Sequence, residues 1–135
     1  MPDSVSTTAI HHVSFLTADT EKTAAFYCNV LGFHHIRRPD MQFPGAWLFR
    51  NGLQIHLIGG QGHQAKDGEI SSRADHIAFH AEDTDAVEKL LQEHDVKYRV
   101  NIQTGSGVKQ IFFHDPDGHT LEIAVYPTPV PVGEE

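Results

Sequence analysis

Thiols are nearly absent from this chain. Cys28 is the single cysteine in 135 residues, which excludes an intrachain disulfide and a thiolate metal cluster within one chain. Any metal bound here must use nitrogen and oxygen. Basic residues are also scarce, with 10 Lys plus Arg against 18 Asp plus Glu and a formal net charge of −8. That balance removes the counterion-release affinity on which nucleic-acid binders draw. Neither nucleic acid nor an anionic membrane is expected as a partner. No apolar run approaches the roughly 18 residues of a bilayer span, and Met1 to Thr8 has neither the basic nor the apolar region of a secretory signal. The expected location is cytoplasmic.

Against these shortages stands an excess of histidine, eleven residues spread along the chain rather than gathered in a tag. Hydrophobic residues make up 39% and charged residues 21%, enough apolar material for a packed core at a length typical of one domain. The reading is therefore one globular domain, residues 1–135, in which eleven imidazoles need an explanation.

Periodicity divides the chain into two copies of one module. Ile10 to Leu16 reads as a strand and Glu21 to Leu31 as a helix burying Phe26, Tyr27, Val30 and Leu31, stopped by Gly32. Phe33 to Arg38 is extended. Trp47 to Arg50 and Leu53 to Ile58 form a hairpin around Asn51-Gly52, whose residues tolerate the positive φ angles of a type I′ turn. Residues 59–74 are Gly-rich and polar, a mobile connection or lid. The order then repeats: strand Asp75 to His80, helix Thr84 to His94 burying Val87, Leu90 and Leu91, and an extended piece from Val96 to Asn101. Strands Lys109 to His114 and His119 to Tyr126 follow, around Asp115-Pro116-Asp117-Gly118. Each half is β-α-β-β-β, module one about 9–58 and module two about 75–126, with a Pro-rich tail at 127–135. The fold class is α+β.

The repeat also aligns chemistry. At an offset of 64, His12 to Phe15 falls on His76 to Phe79 and Phe49 on Phe113. Two extra residues in the second hairpin turn raise the offset to 66 and place His56 on Glu122. Strand alternation puts Val13, Phe15, Leu53, Ile55, Leu57, Ile77, Phe79, Leu121, Ile123 and Val125 in one phase, suited to packing against the helices. The other phase holds His12, Ser14, Gln54, His56, His76, His80, Thr120 and Glu122. Three imidazoles and a carboxylate thus share the non-core face, a donor set for a divalent metal such as Zn, Ni, Fe or Mn. The competing reading is a solvated polar face. His80 is a candidate acid/base or supporting group. His11, His34, His35, His63 and His94 read as solvated, Asp115 and Asp117 as turn formers, and Cys28 as a small packing residue.

Ile10-His11-His12-Val13-Ser14-Phe15, Ala25-Phe26-Tyr27 with Val30-Leu31-Gly32-Phe33, Asp75-His76-Ile77-Ala78-Phe79 and Phe112 to Glu122 resemble the vicinal oxygen chelate superfamily. That group includes glyoxalase I, bleomycin-resistance proteins, fosfomycin thiol transferases and extradiol dioxygenases. The resemblance spans Ile10 to about Tyr126 and implies paired βαβββ modules with metal ligands on the first and last strands of each, here His12, His56, His76 and Glu122. It implies glyoxalase-like lyase or isomerase chemistry on a small oxygenated compound, with Glu122 as the proton shuttle. It also implies a homodimer that shares the site between subunits. In glyoxalase I a glutamate stands at the place of His56, and the glutathione-gripping Arg and Asn are replaced here by Leu16 and Gly60. The thiol-transferase alternative gains Ser14, where that family carries a catalytic hydroxyl, and lacks the tyrosine expected at Phe112. Dioxygenase chemistry needs two His and one carboxylate on iron, and a metal-free sequestering protein is the non-enzymatic alternative. Ser14, Gln54, His80, Phe112 and Thr120 are the substrate-cleft candidates.

Overall fold

The duplication read from the sequence reappears as two strand ladders of the same register. The computed structural model describes residues 2–60 and 69–127. They fall into two compact units that divide after residue 62. The first unit runs β1 (Val13–Leu16), α1 (Thr20–Leu31), β2 (His34–Ile36), β3 (Gly45–Arg50) and β4 (Leu53–Ile58). The second runs β5 (His76–His80), α2 (Thr84–Glu93), β6 (Tyr98–Ile102), β7 (Lys109–His114) and β8 (Thr120–Ala124). Each unit builds one four-stranded mixed sheet, in the orders β1-β4-β3-β2 and β5-β8-β7-β6. The first and last strands of each module pair in parallel; the remaining pairs are antiparallel. This is the α+β, tandem βαβββ architecture expected from the sequence.

Local chemistry sets the element ends. Asp19 caps α1 by accepting from the Lys22 N–H, and Asp83 caps α2 by accepting from the Asp85 and Ala86 N–H groups. Each cap contributes about 1 kcal/mol. Gly32, at φ 72°, closes α1 in the left-handed conformation a side chain would resist. Asn51 and Gly52 both take positive φ, 50° and 81°, as a type I′ hairpin demands.

The register corrects one part of the repeat. Ser14 lies opposite His56 as Ala78 lies opposite Glu122, which bears out the offsets of 64 and 66. The hairpins differ by one residue, not two: residues 51–52 close the first, whereas residues 116–118 close the second inside the Asp115–His119 backbone pair. The other extra residue therefore precedes β7. Consequently Leu48, not Phe49, is the counterpart of Phe113; both are fully buried, and they face Ile55 and Leu121.

Burial corrects three further expectations. Burial runs through both phases of two central strands, so β8 is buried throughout and His56 is buried in β4 beside Ile55 and Leu57. Leu90 is 53% exposed, because Val87 and Leu91, one helical turn apart, carry the packed stripe and Leu90 lies about 100° round from Leu91. Val125 lies beyond the end of β8 and is 40% exposed. The described end of the connection, residues 69–74, is anchored by buried Ile70, whose carbonyl accepts from Arg99 Nη1 at 2.9 Å. Residues 61–68 of the expected lid, including His63, and the Pro-rich tail beyond Pro127 lie outside the described residues. Among the described residues no helix is long and apolar enough to cross a membrane.

Candidate metal centre and substrate cleft

The expected ligands come as one pair in each unit. In the first, β1 and β4 place the His12 and His56 rings 3.9 Å apart and 13° from parallel. Trp47, opposite His56 in the β3–β4 register, stacks on its other face at 4.2 Å and 6°. His56 is therefore held between two rings, and its Nε2 donates to Gln54 Oε1 at 3.0 Å. That bond leaves Nδ1 as the lone-pair nitrogen. Burial first, then His12, His11 and Arg38 beside it, hold the His56 pKa below the ordinary imidazole range. Its neutral, ligating form is favoured.

Lone pairs lie in the plane of an imidazole, so two nearly parallel rings present theirs side by side rather than converging. One ion taking both requires a ring to turn. His12 is the one free to do so, being exposed and just before β1, whereas His56 is locked by Trp47 and Gln54. His11 joins this cluster, its Nδ1 2.8 Å from His12 Nδ1 and its ring 6.3 Å from that of His56. Alternation along a strand assigned His11 to the opposite face, but it precedes the first strand residue, where alternation no longer applies.

In the second unit, His76 Nδ1 donates to the Ala74 carbonyl at 2.6 Å. Its Nε2 is then the lone-pair atom, and it faces Glu122 Oε1 at 3.1 Å. Two acceptors at that distance repel unless a proton or a cation lies between them. Glu122 is 1% exposed, and its Oε2 is buried without a hydrogen-bond partner among the described residues. The neighbouring Gln110 amide accepts from Asn101 and gives one of its two N–H donors to Tyr126 at 3.4 Å. Burial pushes the Glu122 carboxyl above the ordinary carboxylate range, against the opposing pull of His76 and Gln110.

Glu122 and His76 line a cleft of about 580 Å³ with Arg73, Arg99, Asn101 and Gln103 among its other walls. Phe112 is fully buried, edge-on to His76 at 5.4 Å between ring centroids, and so packs against that imidazole instead of walling the cleft. Thr120 is also buried. His80 accepts from the Tyr126 N–H through Nδ1 and approaches Glu82 at 3.4 Å. Ser14 is exposed, opposite His56 in the ladder.

A second acidic group stands in the β7–β8 turn, where ligand-type atoms of Asp115, Asp117 and His119 lie within 4.8 Å of one another. The turn accounts for Asp115. Its Oδ1 accepts from the Asp117 and His119 N–H groups at 2.9 and 3.0 Å, and its Oδ2 from His119 Nδ1 at 2.8 Å. Cys28 is partly buried, with a thiol pushed up by that burial, as a packing residue would be.

Residues 9–123 match the family model described as the Glyoxalase/Bleomycin resistance protein/Dioxygenase superfamily. The chain belongs to that superfamily. Its relatives there include the Arabidopsis thaliana protein named Glyoxylase I 4, 41% identical over 121 residues covering 86% of this chain and 70% of that one. Metallothiol transferase FosB from Lysinibacillus sphaericus is 32% identical over 122 residues, covering 84% and 79%. A crystal structure of the fosfomycin resistance protein FosX from Listeria monocytogenes matches with a TM-score of 0.77 over 91% of this chain and 94% of that one, a likeness of fold at 20% identity.

The glyoxalase superfamily includes metal-dependent enzymes, and the spacing of His76 and Glu122 suits two ligands of one ion. Two donors about 2.1 Å from a shared ion, at about 90–110° to each other, are ~3.0–3.4 Å apart. The His76–Glu122 separation of 3.1 Å has the length of such a ligand–ligand edge. The second nitrogen of His76 is fixed by a carbonyl and that of His56 by an amide, the outer-shell support metal-bound imidazoles require.

Proposed function

We propose that this superfamily member is a metal-dependent enzyme of glyoxalase I type. It acts as a lyase or isomerase on a small oxygenated carbon compound whose neighbouring oxygens chelate the ion. The observation that carries this reading is the pairing of His76 with the buried Glu122, two lone-pair atoms facing each other at 3.1 Å on the wall of a polar cleft. His12, His56, His76 and Glu122 would hold the ion, with Zn, Ni, Fe and Mn all suited to imidazole and carboxylate. When bound, the ion supplies Lewis acidity to the substrate oxygens.

The chain's own residues supply the rest. Glu122 is the base: its carboxylate, with Oε1 facing His76 and Oε2 buried without a hydrogen-bond partner among the described residues, turns into the cleft to take a proton from one substrate carbon and return it to the adjacent one. The C–H electron pair becomes a carbon–carbon double bond as the adjacent carbonyl pair moves onto its oxygen; protonation of that adjacent carbon, with the hydroxyl proton passing to the former carbonyl oxygen, leaves a carbonyl at the first carbon, so no external oxidant or reductant is needed. Burial keeps that carboxylate more basic than a solvated one. Ala74 holds His76 in one tautomer, and Trp47 and Gln54 do the same for His56.

This reading includes a cytoplasmic homodimer in which His12 and His56 of one subunit join the partner subunit's His76 and Glu122. The test is metal per chain by mass spectrometry on untagged protein, beside His12→Ala and Glu122→Ala prepared identically. About one ion per chain, lost in both variants, with turnover of a hemithioacetal, is expected. Mixing the two inactive variants should restore part of the activity by re-forming intact sites. No metal in the wild type after reconstitution would overturn the enzyme reading in favour of a sequestering protein. A thiol-transferase activity is the second reading, favoured by the exposed Ser14 hydroxyl opposite His56 and by the similarity to a metallothiol transferase; thiol addition to fosfomycin tests it.

A further inference from the structure

The chain carries a net charge of −8, yet the cleft beside Glu122 has two guanidinium groups and a single carboxylate, itself buried. Arg99 stands on β6 in the same cross-strand row as Glu122, since Arg99 lies opposite Phe112 and Phe112 opposite Glu122. Two strand spacings, about 10 Å, separate their backbones, and both side chains stand on one face of the sheet. Arg73 approaches from the segment before β5. Its guanidinium has no hydrogen-bond or ion-pair partner among the described residues, and Arg99 spends only one donor, Nη1, on the Ile70 carbonyl. Ser72, Asn101, Gln103 and Thr104 add neutral donors along the same wall.

Guanidinium groups left unpaired in a concave site are matched to oxyanions, whose two or three oxygens accept their forked N–H groups. We propose that Arg73 and Arg99 form an anion subsite, so that the substrate carries a carboxylate or phosphoryl group several ångströms from its metal-chelating oxygens. The inference rests on the cleft being the substrate site in the reading above. Arg73 and Arg99 are then specificity residues, acting on the far end of the substrate and taking no part in proton transfer.

Three hydroxamates test this on metal-loaded protein: acetohydroxamate, which only chelates, and succinic monohydroxamate and phosphonoacetohydroxamate, which add an anionic tail. At least one tailed compound should bind about tenfold more tightly than acetohydroxamate to the wild type, and the better tail identifies the anion. Arg73→Met and Arg99→Met should each erase most of that advantage while leaving acetohydroxamate affinity unchanged, and Arg99→Lys should keep part of it. An advantage absent for both tails, or intact in both Met variants, overturns the subsite while leaving the metal reading in place. If acetohydroxamate itself fails to bind, the chelating function falls. The subsite is then judged on metal-free protein titrated with phosphonoacetate, which should shift the Arg73 and Arg99 Nε–H resonances; unmoved resonances overturn it.

Discussion

Replacing Glu122 with methionine should make the metal-free protein more stable and abolish its response to metal. In the wild type one carboxylate oxygen is buried with no hydrogen-bond partner among the described residues, in a side chain 1% exposed. A buried polar atom left unsatisfied costs about 1–3 kcal/mol. Methionine keeps the length of the side chain and removes both oxygens. Lost with them is the contact to His76, which at 30% exposure is partly solvated and therefore worth little. The net expectation is about 1–2 kcal/mol of added stability, or roughly 3–6 °C in Tm for a domain of this size. Thermal unfolding followed by circular dichroism, with EDTA and with one equivalent of Zn or Ni, measures both effects. The wild type should rise in Tm when metal is added, because an ion that binds only the folded chain stabilises it by mass action; the variant should not. A metal-free variant less stable than the wild type, or one that metal raises as far as it raises the wild type, would refute the reasoning.

Trp47 is the only tryptophan and lies against His56, so addition of Ni to the wild type should quench or shift its fluorescence, and the same titration of His56→Ala should leave it unchanged. Asp115→Ala strands one buried and one partly buried backbone N–H group and releases His119, which should cost about 2–4 kcal/mol in denaturant unfolding without altering metal per chain. Glu88 is held below the ordinary carboxylate range first by its hydrogen bond to Lys109 and also by Tyr98. A depressed carboxyl stabilises the fold above its unfolded value and loses that contribution as pH falls through the folded value. Acid titration should therefore show α2 amides exchanging faster below the ordinary carboxylate range, an effect absent in Glu88→Gln.

How much of this was legible in the sequence follows from what each signal encodes. Alternation along a strand encodes a face, and the internal repeat encodes equivalence, so the two-module fold and the neighbouring pairs His12–His56 in the first unit and His76–Glu122 in the second could be read directly. The aspartates that cap both helices and the Asn-Gly turn are equally local. Cross-strand partners are not local. Trp47 meets His56 because of the β3–β4 register, and the one-residue shift that pairs Leu48 with Phe113 depends on how a hairpin closes. The Ala74 carbonyl that fixes His76 is a backbone atom, with no signature in residue type. Residue type does not single out Arg73 and Arg99 among the five arginines; the sheet places Arg99 in the row of Glu122, and the segment before β5 brings Arg73 to the same wall.

The register also exposes an asymmetry with chemical content. Equivalent positions of the repeat hold His56 in the first unit and Glu122 in the second, each on the central strand and each buried. Their surroundings differ in kind. His56 is pinned on both ring faces and at Nε2, with its remaining nitrogen committed to lone-pair duty, whereas Glu122 keeps one oxygen unengaged. A rigid neutral ligand and a carboxylate with a spare oxygen suit different tasks, holding an ion and moving a proton. Exchanging them tests that division. His56→Glu would add a second carboxylate at the equivalent position, stacked against Trp47 without the ring that made the stack, so any gain in basic groups would come with a looser ligand. Weaker metal retention together with preserved single-proton kinetics in that variant would support the division. A variant that holds metal as tightly and transfers protons from either carboxylate would show that the two positions are interchangeable and that the asymmetry carries no function.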